Sequence, residues 1–296
     1  MKILLFGKGG QVGWELQRSL APLGELVALD ADSQDFCGDF TNLKGIAETV
    51  RSIAPDIIVN AAAHTAVDKA ESEPELAHTI NALAPGVLAQ EAKRCGAWLI
   101  HYSTDYVFNG SGDSAWLETD PTGPLSIYGK TKLAGEEAIC AAGCKHLIFR
   151  TSWVYAARGG NFAKTMLKLA KDRDRLTVIC DQIGAPTGAE LLADVTAHTA
   201  RALRKNPRLG GLYHCVAAGE TSWHGYAMHV IESARAAGHD IKVAADAVLP
   251  IPTSEYPTPA ARPLNSRLDT RKLRDTFGLV LPHWQQGVDR MLAEIL

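Results

Sequence analysis

Short apolar runs alternate with longer amphipathic stretches through the first half of the chain. The runs are continuous rather than alternating, which is typical of strands buried on both faces of a parallel sheet. They are Lys2–Phe6, Leu26–Leu29, Asp56–Asn60, Trp98–Tyr102 and Leu147–Phe149. The clearest helical patterns between them are Gln11–Leu20, Leu43–Ile53 and Leu76–Arg94. This order predicts an α/β fold with a Rossmann-type doubly wound parallel sheet.

The pattern changes after Arg150, where aromatic and turn residues become denser. We therefore predict two domains, residues 1–150 and 151–296, with some segments of the second returning to the core of the first. Val248–Arg267 contains five prolines and has no helical period. It is interpreted as a long irregular segment over a ligand site, because long structureless loops in compact domains are often functional. A last helix is expected at His283–Ile295.

Composition excludes several classes of function. The 296 residues are 46% hydrophobic and 21% charged, with a formal net charge of -3, so nothing favours nucleic acid or an anionic membrane as a partner. No stretch approaches the roughly 20 apolar residues of a membrane helix. The six cysteines form no CxxC pair and are interpreted as reduced thiols of a cytoplasmic protein.

A glycine-rich segment, Gly7-Lys8-Gly9-Gly10-Gln11-Val12-Gly13, follows the first predicted strand and opens the first predicted helix. Gly7, Gly10 and Gly13 allow a tight turn, close approach to a pyrophosphate, and close helix–strand packing. The free N–H groups of the helix N-terminus would face the phosphates. We therefore assign residues 1–150 as an NAD(P)-binding domain.

The choice between NADH and NADPH stays open. Asp30 ends the second strand, where a carboxylate can accept hydrogen bonds from the adenosine ribose and repel a 2′-phosphate. Lys8 could instead pair with that phosphate. Asp39 and Phe40 fit a contact near adenine. The small residues after the third strand, continuing into His64 and Thr65, would let the dinucleotide lie against the backbone.

Tyr128 and Lys132 are four residues apart, which places them on one face of a helix. A free tyrosine has a pKa of about 10, and a neighbouring ammonium lowers this value by stabilising the phenolate. Ser103 and Thr104 end the fourth strand, at the edge where open α/β sheets bind ligands. Their hydroxyls can reach a substrate oxygen. The sequence thus predicts an oxidoreductase in which Tyr128 exchanges the proton.

Seven segments, in this order, carry a close resemblance to a known family. They are GQVGWEL (10–16), VNAAAHTAVDKAE (59–71), HYSTDYVF (101–108), YGKTKLAGE (128–136), RTSWVY (150–155), DQIGAPTGAE (181–190) and PTPAARPLNS (257–266). The chain resembles the extended short-chain dehydrogenase/reductase superfamily and, within it, the family of dTDP-4-dehydrorhamnose reductases. That family completes dTDP-rhamnose biosynthesis for lipopolysaccharide O-antigen.

The resemblance implies reduction of the C4 ketone of dTDP-4-dehydro-L-rhamnose to dTDP-L-rhamnose. Tyr128 would donate the proton, Lys132 would lower its pKa and bind the nicotinamide ribose, and Thr104 would orient the substrate. Residues 151–296 would mainly bind substrate. The remaining substrate contacts would be Asp105, Trp153 and Arg262, the last as a fork on the diphosphate. Cofactor contacts would be Gly7, Gly10, Gln11, Val12, Gly13, Asp30, Asp39, Phe40, Ala63, His64, Thr65, Tyr102, Tyr128 and Lys132.

The resemblance further implies a homodimer with Mg²⁺ at its interface. The matching acids are Glu15, Glu190 and Glu294, and carboxylate oxygens are suitable ligands for this hard cation. Three solvated surface glutamates would give the same pattern.

Two alternatives remain open. The first is another nucleotide-sugar reductase, epimerase or dehydratase. The resembled dehydratases carry an Asp-Glu pair after the strand-end threonine, whereas this chain has Tyr106 at the second position, so elimination lacks one acid. The second is a non-catalytic NADP-binding regulatory subunit. Such a protein need not keep Thr104, Tyr128 and Lys132, all of which are present here.

Overall fold

The structure is a computed structural model that describes residues 1–296. Its β-strands are short, and most of their residues are buried. They are β1 (Lys2–Phe6), β2 (Glu25–Leu29), β3 (Ile57–Asn60), β4 (Trp98–Thr104), β5 (Lys145–Thr151), β6 (Val154–Tyr155), β7 (Leu176–Ile179), β8 (Ile183–Gly184), β9 (Thr187–Gly188), β10 (Gly211–His214), β11 (Thr221–Ser222) and β12 (Val248–Ile251).

Eleven α-helices surround or follow these strands. They are α1 (Gln11–Leu20), α2 (Leu43–Ile53), α3 (Val67–Ser72), α4 (Pro74–His78), α5 (Ala84–Cys95), α6 (Ile127–Ala142), α7 (Phe162–Asp172), α8 (Ala189–Lys205), α9 (Trp223–Ala236), α10 (Arg271–Phe277) and α11 (Trp284–Ile295).

The central sheet has six parallel strands in the order β10-β5-β4-β3-β1-β2. The chain runs outward from β1 to β2 on one side and from β3 to β10 on the other. The strand order therefore reverses between β1 and β3, and open α/β sheets bind ligands in the crevice beyond the carboxyl ends at such a point. The predicted α/β doubly wound sheet is confirmed.

Apolar side chains cover both faces of this sheet, as expected for continuous apolar strands. Leu16 and Leu20 of α1 pack with Leu192 of α8 against one face. Ile46 of α2 and Leu88 of α5 pack against the other face. The helices are thus fixed on both sides of the sheet, and the loops at its carboxyl edge are left to form a site.

The predicted division at residue 150 stays a prediction. Strand β10 comes from the second half of the chain and pairs with β5 of the central sheet, so the second half does contribute to the core. Separate pairs formed by β7 and β12, β8 and β11, and β6 and β9 lie outside the central sheet.

The predicted helix Leu76–Arg94 is interrupted. A single π-helical turn at Thr79–Leu83 separates α4 from α5. Pro85 in the first turn of α5 has no N–H group to donate to the preceding turn. Single π-turns are frequent at functional positions, and this one contains Asn81.

The prediction that Val248–Arg267 is irregular is wrong for the first residues of this segment. Val248–Ile251 is strand β12, which pairs in parallel with β7. Pro250 is accommodated because this pair has only two strands, so one edge needs no donor. The rest of the segment contains a 3₁₀ turn at Thr253–Glu255 and one isolated β-bridge, between Asn265 and Ile183.

All six cysteines are free, as the sequence predicts. No helix combines the length and the apolar character that crossing a membrane requires.

Candidate active site

The glycine-rich segment forms a tight turn between β1 and α1. Gly7 has a φ of +84°, a conformation that glycine adopts without a steric penalty. A Cβ on Gly13 would lie 1.8 Å from the Gly7 carbonyl oxygen, so only glycine permits this packing. Gly10 caps α1 without a side-chain hydrogen bond. Free backbone N–H groups at the start of α1 are therefore available to an anion.

Asp30 lies directly against this turn. The Gly9 N–H donates a hydrogen bond of 3.0 Å to Oδ2 of Asp30, and the Asp30 N–H donates to the Ser33 hydroxyl at 2.8 Å. The carboxylate is thus fixed at the carboxyl end of β2, beside the glycine-rich turn. This is where an acid must lie to reach an adenosine ribose bound across the turn.

Three residues implied by the resemblance as cofactor contacts have other partners in the structure. The Asp39 carboxylate accepts hydrogen bonds from the N–H and the hydroxyl of Thr41. The Phe40 ring is buried against Phe6. The Tyr102 hydroxyl is 2.5 Å from the Thr196 hydroxyl of α8. As cofactor contacts these residues stay predictions.

The segment after β3 is tied to α6 by a residue that the sequence analysis did not identify. Asn81 accepts a hydrogen bond from the His64 N–H at 2.8 Å and donates to the His64 carbonyl at 3.1 Å. It also donates to the Thr131 hydroxyl on α6 at 3.2 Å. This buried amide therefore couples the predicted cofactor segment, Ala63 to Thr65, to the helix that carries Tyr128. No local motif indicates it.

Helix α6 begins at a fixed position. The Ser126 hydroxyl accepts a hydrogen bond from the Gly129 N–H at 3.2 Å, as an N-cap. A carboxylate oxygen of Glu71 accepts from the Ile127 N–H at 2.8 Å. These two hydrogen bonds satisfy two of the free N–H groups at the start of the helix. Because Ile127 and Gly129 flank Tyr128, the same bonds determine the position of Tyr128.

Tyr128 and Thr104 meet at the carboxyl end of β4. Burial raises the pKa of Tyr128 to about 12, and a hydrogen bond with the Thr104 side chain opposes this rise, whereas the lowering predicted from Lys132 is not found. The Thr104 hydroxyl also donates to Asp105 at 3.0 Å. Burial raises the pKa of Asp105 to about 6. At neutral pH the Tyr128 hydroxyl is therefore protonated, as a proton donor must be.

Lys132 is fully enclosed one turn after Tyr128. Its Nζ donates to the backbone carbonyl of Tyr102 at 2.6 Å and lies 3.3 Å from Nε2 of His101. Burial lowers the pKa of Lys132 to about 8, while the charge of Glu136 opposes the fall. Below that pH the ammonium supplies a positive charge on the face of α6 that carries Tyr128. Lys132 was predicted from the sequence, whereas His101 and Glu136 were not.

Tyr106 occupies the position of the second acid of dehydratases. Its ring packs edge-on against Tyr128, with centroids 5.5 Å apart. A hydrophobic contact therefore replaces a second acid group at this position.

A cleft of about 870 Å³ lies among residues of α7, β7 and the segment from Tyr256 to Arg262. Three arginines line it, namely Arg173, Arg175 and Arg262, and of these only Arg262 was predicted. Arg262 forms a two-pronged ion pair with Asp68 of α3, with Nη–Oδ distances of 3.0 and 2.7 Å. The Arg262 guanidinium lowers the pKa of Asp68. The cationic lining suits a diphosphate.

Two tryptophans form the wall beside this cleft. Trp153 has a φ of +48°, unusual for a residue other than glycine, and its ring stacks on Trp223 with centroids 3.7 Å apart. The Trp223 indole N–H donates to Gln182 at 3.0 Å. Strained backbone of this kind concentrates at functional sites. Trp223 and Gln182 line the cleft and were not predicted.

The three predicted metal ligands do not form a cation site in this chain. Glu15 pairs with Arg18 at 3.3 Å. Glu190 and Glu294 both pair with Arg290, at 3.4 and 3.6 Å. The chain contains no cluster of three or more acidic, histidine or cysteine side chains arranged for a metal ion. Each of the three carboxylates instead pairs with an arginine, and the predicted Mg²⁺ site is not supported.

Known proteins resemble the chain over its whole length. It is 64% identical over 295 residues to a dTDP-4-dehydrorhamnose reductase of Escherichia coli strain K12, covering 100% of this chain and 98% of the relative. A dTDP-4-dehydrorhamnose reductase from Clostridium acetobutylicum has a similar crystal structure, with a TM-score of 0.88, 36% identity, and coverage of 100% and 99%.

A third relative was solved with a cofactor. The dTDP-4-dehydrorhamnose reductase of Bacillus anthracis, in complex with NADP, has a TM-score of 0.87 and 35% identity over 99% of each chain. Residues 1–296 also match the family described as RmlD substrate binding domain. The resemblance predicted from the sequence is confirmed, and the chain belongs to the RmlD substrate binding domain family.

Proposed function

We propose that this chain reduces the C4 ketone of dTDP-4-dehydro-L-rhamnose to dTDP-L-rhamnose, using NADPH or NADH. The observation that carries the proposal is the convergence of Tyr128, Thr104 and Lys132 at the carboxyl end of β4. The glycine-rich turn before α1 and the cleft lined by arginines are the other two parts of the proposed site. Two similar proteins, from Escherichia coli and Clostridium acetobutylicum, are dTDP-4-dehydrorhamnose reductases, which supports the same reaction.

Tyr128 acts as the proton donor in this proposal. Bound reduced nicotinamide supplies the hydride that reduces the C4 carbon. The ketone oxygen then gains negative charge, and the Tyr128 hydroxyl transfers its proton there. Thr104 orients the oxygen and the hydroxyl together. The Lys132 ammonium stabilises the phenolate left on Tyr128 until solvent returns a proton.

The cleft binds the nucleotide part of the substrate. Arg262 exchanges its pairing with Asp68 for the diphosphate oxygens, which offer the same two-pronged geometry. Arg173 and Arg175 add positive charge along the same wall. The stacked pair of Trp153 and Trp223 provides a rigid aromatic surface for the sugar.

An assay of NADPH oxidation with dTDP-4-dehydro-L-rhamnose tests the proposal. We expect oxidation that depends on the keto-sugar, with dTDP-L-rhamnose as the product. A reaction without the keto-sugar is the control. Binding of NADPH without any turnover would favour a regulatory subunit, and loss of water from the sugar without NADPH oxidation would favour a dehydratase.

Cofactor preference should depend on Asp30. We expect both NADH and NADPH to support turnover, and Asp30→Ala to shift the ratio of kcat/KM values toward NADPH by about tenfold. That ratio corresponds to the loss of about 1.4 kcal/mol of repulsion between the carboxylate and a 2′-phosphate. Steady-state rates with each cofactor measure it.

Two variants make the Asp30 experiment specific. Asp30→Asn removes the charge and keeps an oxygen for the Gly9 N–H, so it should shift the preference in the same direction. Asp32→Ala removes an exposed acid two residues away and should leave the ratio unchanged. Equal preference in the wild type and in both Asp30 variants would show that the carboxylate does not face the ribose.

On the basis of the family resemblance, we propose that the chain forms a homodimer and that no metal ion connects the two subunits. Because Arg18 and Arg290 already pair with Glu15, Glu190 and Glu294, we expect the same sedimentation coefficient in Mg²⁺ and in EDTA. Glu15→Gln should not change it either. A dimer that dissociates in EDTA and re-forms with Mg²⁺ would restore the metal-site prediction.

A further inference from the structure

We propose that His101 is a positioning residue that presents an N–H group, not a lone pair, to Nζ of Lys132, and so weakens the hold of Lys132 on its proton. The inference deepens the proposed function, since it concerns the lysine assigned there. It rests on three buried side chains, Asn60 of β3, His101 of β4 and Lys132 of α6, whose hydrogen bonds leave one consistent arrangement of donors and acceptors.

Asn60 determines the arrangement at one end. The Ala62 N–H donates to Oδ1 of Asn60 at 3.0 Å, so this side-chain oxygen faces the backbone. The amide nitrogen, Nδ2, then faces Nδ1 of His101 at 3.0 Å. A side-chain amide nitrogen can only donate a hydrogen bond. Nδ1 of His101 must therefore accept, and it carries no proton.

The tautomer of His101 follows from this contact. A neutral imidazole carries one proton, and with Nδ1 unprotonated that proton is on Nε2. The imidazolium form would require a proton on Nδ1, directed at the Asn60 amide. The ring is also buried, and burial together with the charge of Lys132 lowers its pKa well below the usual value. His101 is thus neutral, with its N–H directed at Lys132.

The N–H group of His101 repels the ammonium group of Lys132, because both are hydrogen-bond donors. Nε2 and Nζ are 3.3 Å apart, and an ammonium has only donors to offer there. The neutral amine has a lone pair that can accept from Nε2. The single protein acceptor within hydrogen-bonding distance of Nζ is the Tyr102 carbonyl, at 2.6 Å. His101 therefore favours the neutral amine over the ammonium.

Other titratable groups near Lys132 are compatible with this effect. On α6, Glu136 favours the ammonium, but its carboxylate is neutralised by Arg150 of β5 at 2.6 Å. Tyr128 is protonated at neutral pH. Asp105, directly after β4, is buried with its pKa raised to about 6, and it is not among the groups that shift the pKa of Lys132. His101 is the group in direct contact with Nζ that opposes its charge.

The contact between His101 and Lys132 affects the alkaline limit of turnover, the pH above which kcat falls. The Lys132 ammonium stabilises the Tyr128 phenolate, and this charge is present below the pKa of Lys132 and is lost as the pH rises through it. Because His101 favours the neutral amine of Lys132, it lowers the pKa of Lys132 and moves this limit toward neutral pH. Removal of His101 should move the limit to higher pH.

The tautomer can be measured in the wild-type protein. Long-range ¹⁵N–¹H NMR of cofactor-free protein labelled at histidine distinguishes a protonated from an unprotonated ring nitrogen, and His101→Leu identifies the signals. We expect protonated Nε2 and unprotonated Nδ1. A proton on Nδ1 would overturn the proposal. This result does not depend on turnover, so the proposed reaction could fail while the inference stands.

The effect on Lys132 is tested by His101→Leu, with ¹⁵N-lysine NMR and pH profiles of kcat. We expect the Lys132 titration and the alkaline limit of kcat to rise together by about one pH unit, within the usual range for loss of one close polar contact. His146→Gln, a substitution at a half-buried position near the start of β5, should change neither. A fall in both values would overturn the proposal, because it would mean that His101 accepts from the ammonium.

His101→Gln provides a second variant if leucine prevents folding. Its amide can turn the oxygen toward Nζ and accept a hydrogen bond, so the Lys132 titration should again rise. An unchanged titration in this variant, with the fold intact, would contradict the inference.

Discussion

Tyr128→Phe should lower kcat by about 10²- to 10⁴-fold, the usual contribution of a positioned general acid. The variant retains the ring, its edge-on contact with Tyr106 and the start of α6. It loses only the hydroxyl that donates the proton. We therefore expect affinity for NADPH, measured by calorimetry, to stay within a few-fold of the wild type.

The same substitution at a distant tyrosine is the control. The Tyr213 hydroxyl donates to the Leu209 carbonyl at 2.8 Å in the outermost strand, β10. Tyr213→Phe removes one hydroxyl and should leave kcat nearly unchanged. If Tyr128→Phe retained full turnover, another group would have to protonate the ketone oxygen, and the buried acid nearest to this point is Asp105.

The elements that dominate the fold could be predicted from local patterns. The bounds of β1, α1 and α2 are as predicted, because a continuous apolar run, a glycine turn and a regular amphipathic period each act within a few residues. The pair of Tyr128 and Lys132 was accessible for the same reason, since four-residue spacing places two side chains on one helical face.

The residues that position the other side chains of the site could not be predicted from local sequence patterns. Asn60, Asn81 and His101 belong to no chemical motif of their own. Their roles arise from partners 17 to 50 positions away along the chain. Such contacts depend on strand order and helix packing, which a local pattern does not contain.

Tyr102 illustrates the limit of inference from resemblance. Successive side chains of a strand point to opposite faces. His101 reaches Lys132 of α6, so Tyr102 lies on the other face, against Thr196 of α8. Only its backbone carbonyl reaches Lys132. A cofactor contact inferred from sequence alone does not distinguish the side chain of a residue from its carbonyl group.

Arg150→Met should lower the free energy of unfolding by about 3–5 kcal/mol, the usual cost of breaking a buried ion pair by removing one partner. The side chains of Arg150 and Glu136 are only 5% and 4% exposed, and Nη2 lies 2.6 Å from Oε2. Loss of the guanidinium leaves a carboxylate enclosed between α6 and β5 without a counterion. Urea unfolding followed by circular dichroism measures the difference.

Two further variants separate the cost of the unpaired charge from the cost of altered packing. The double variant Arg150→Met, Glu136→Leu removes both charges and should recover most of the lost stability, because well-packed apolar replacements of buried pairs are often neutral. Arg51→Met should cost less than about 1 kcal/mol, since the Arg51 side chain is 49% exposed and its partner Glu91 also pairs with Arg94 at 3.5 Å. Equal losses for Arg150→Met and the double variant would mean that packing, not the unpaired carboxylate, accounts for the loss. Recovery in the double variant would instead show that the pair is costly to divide although it adds little net stability.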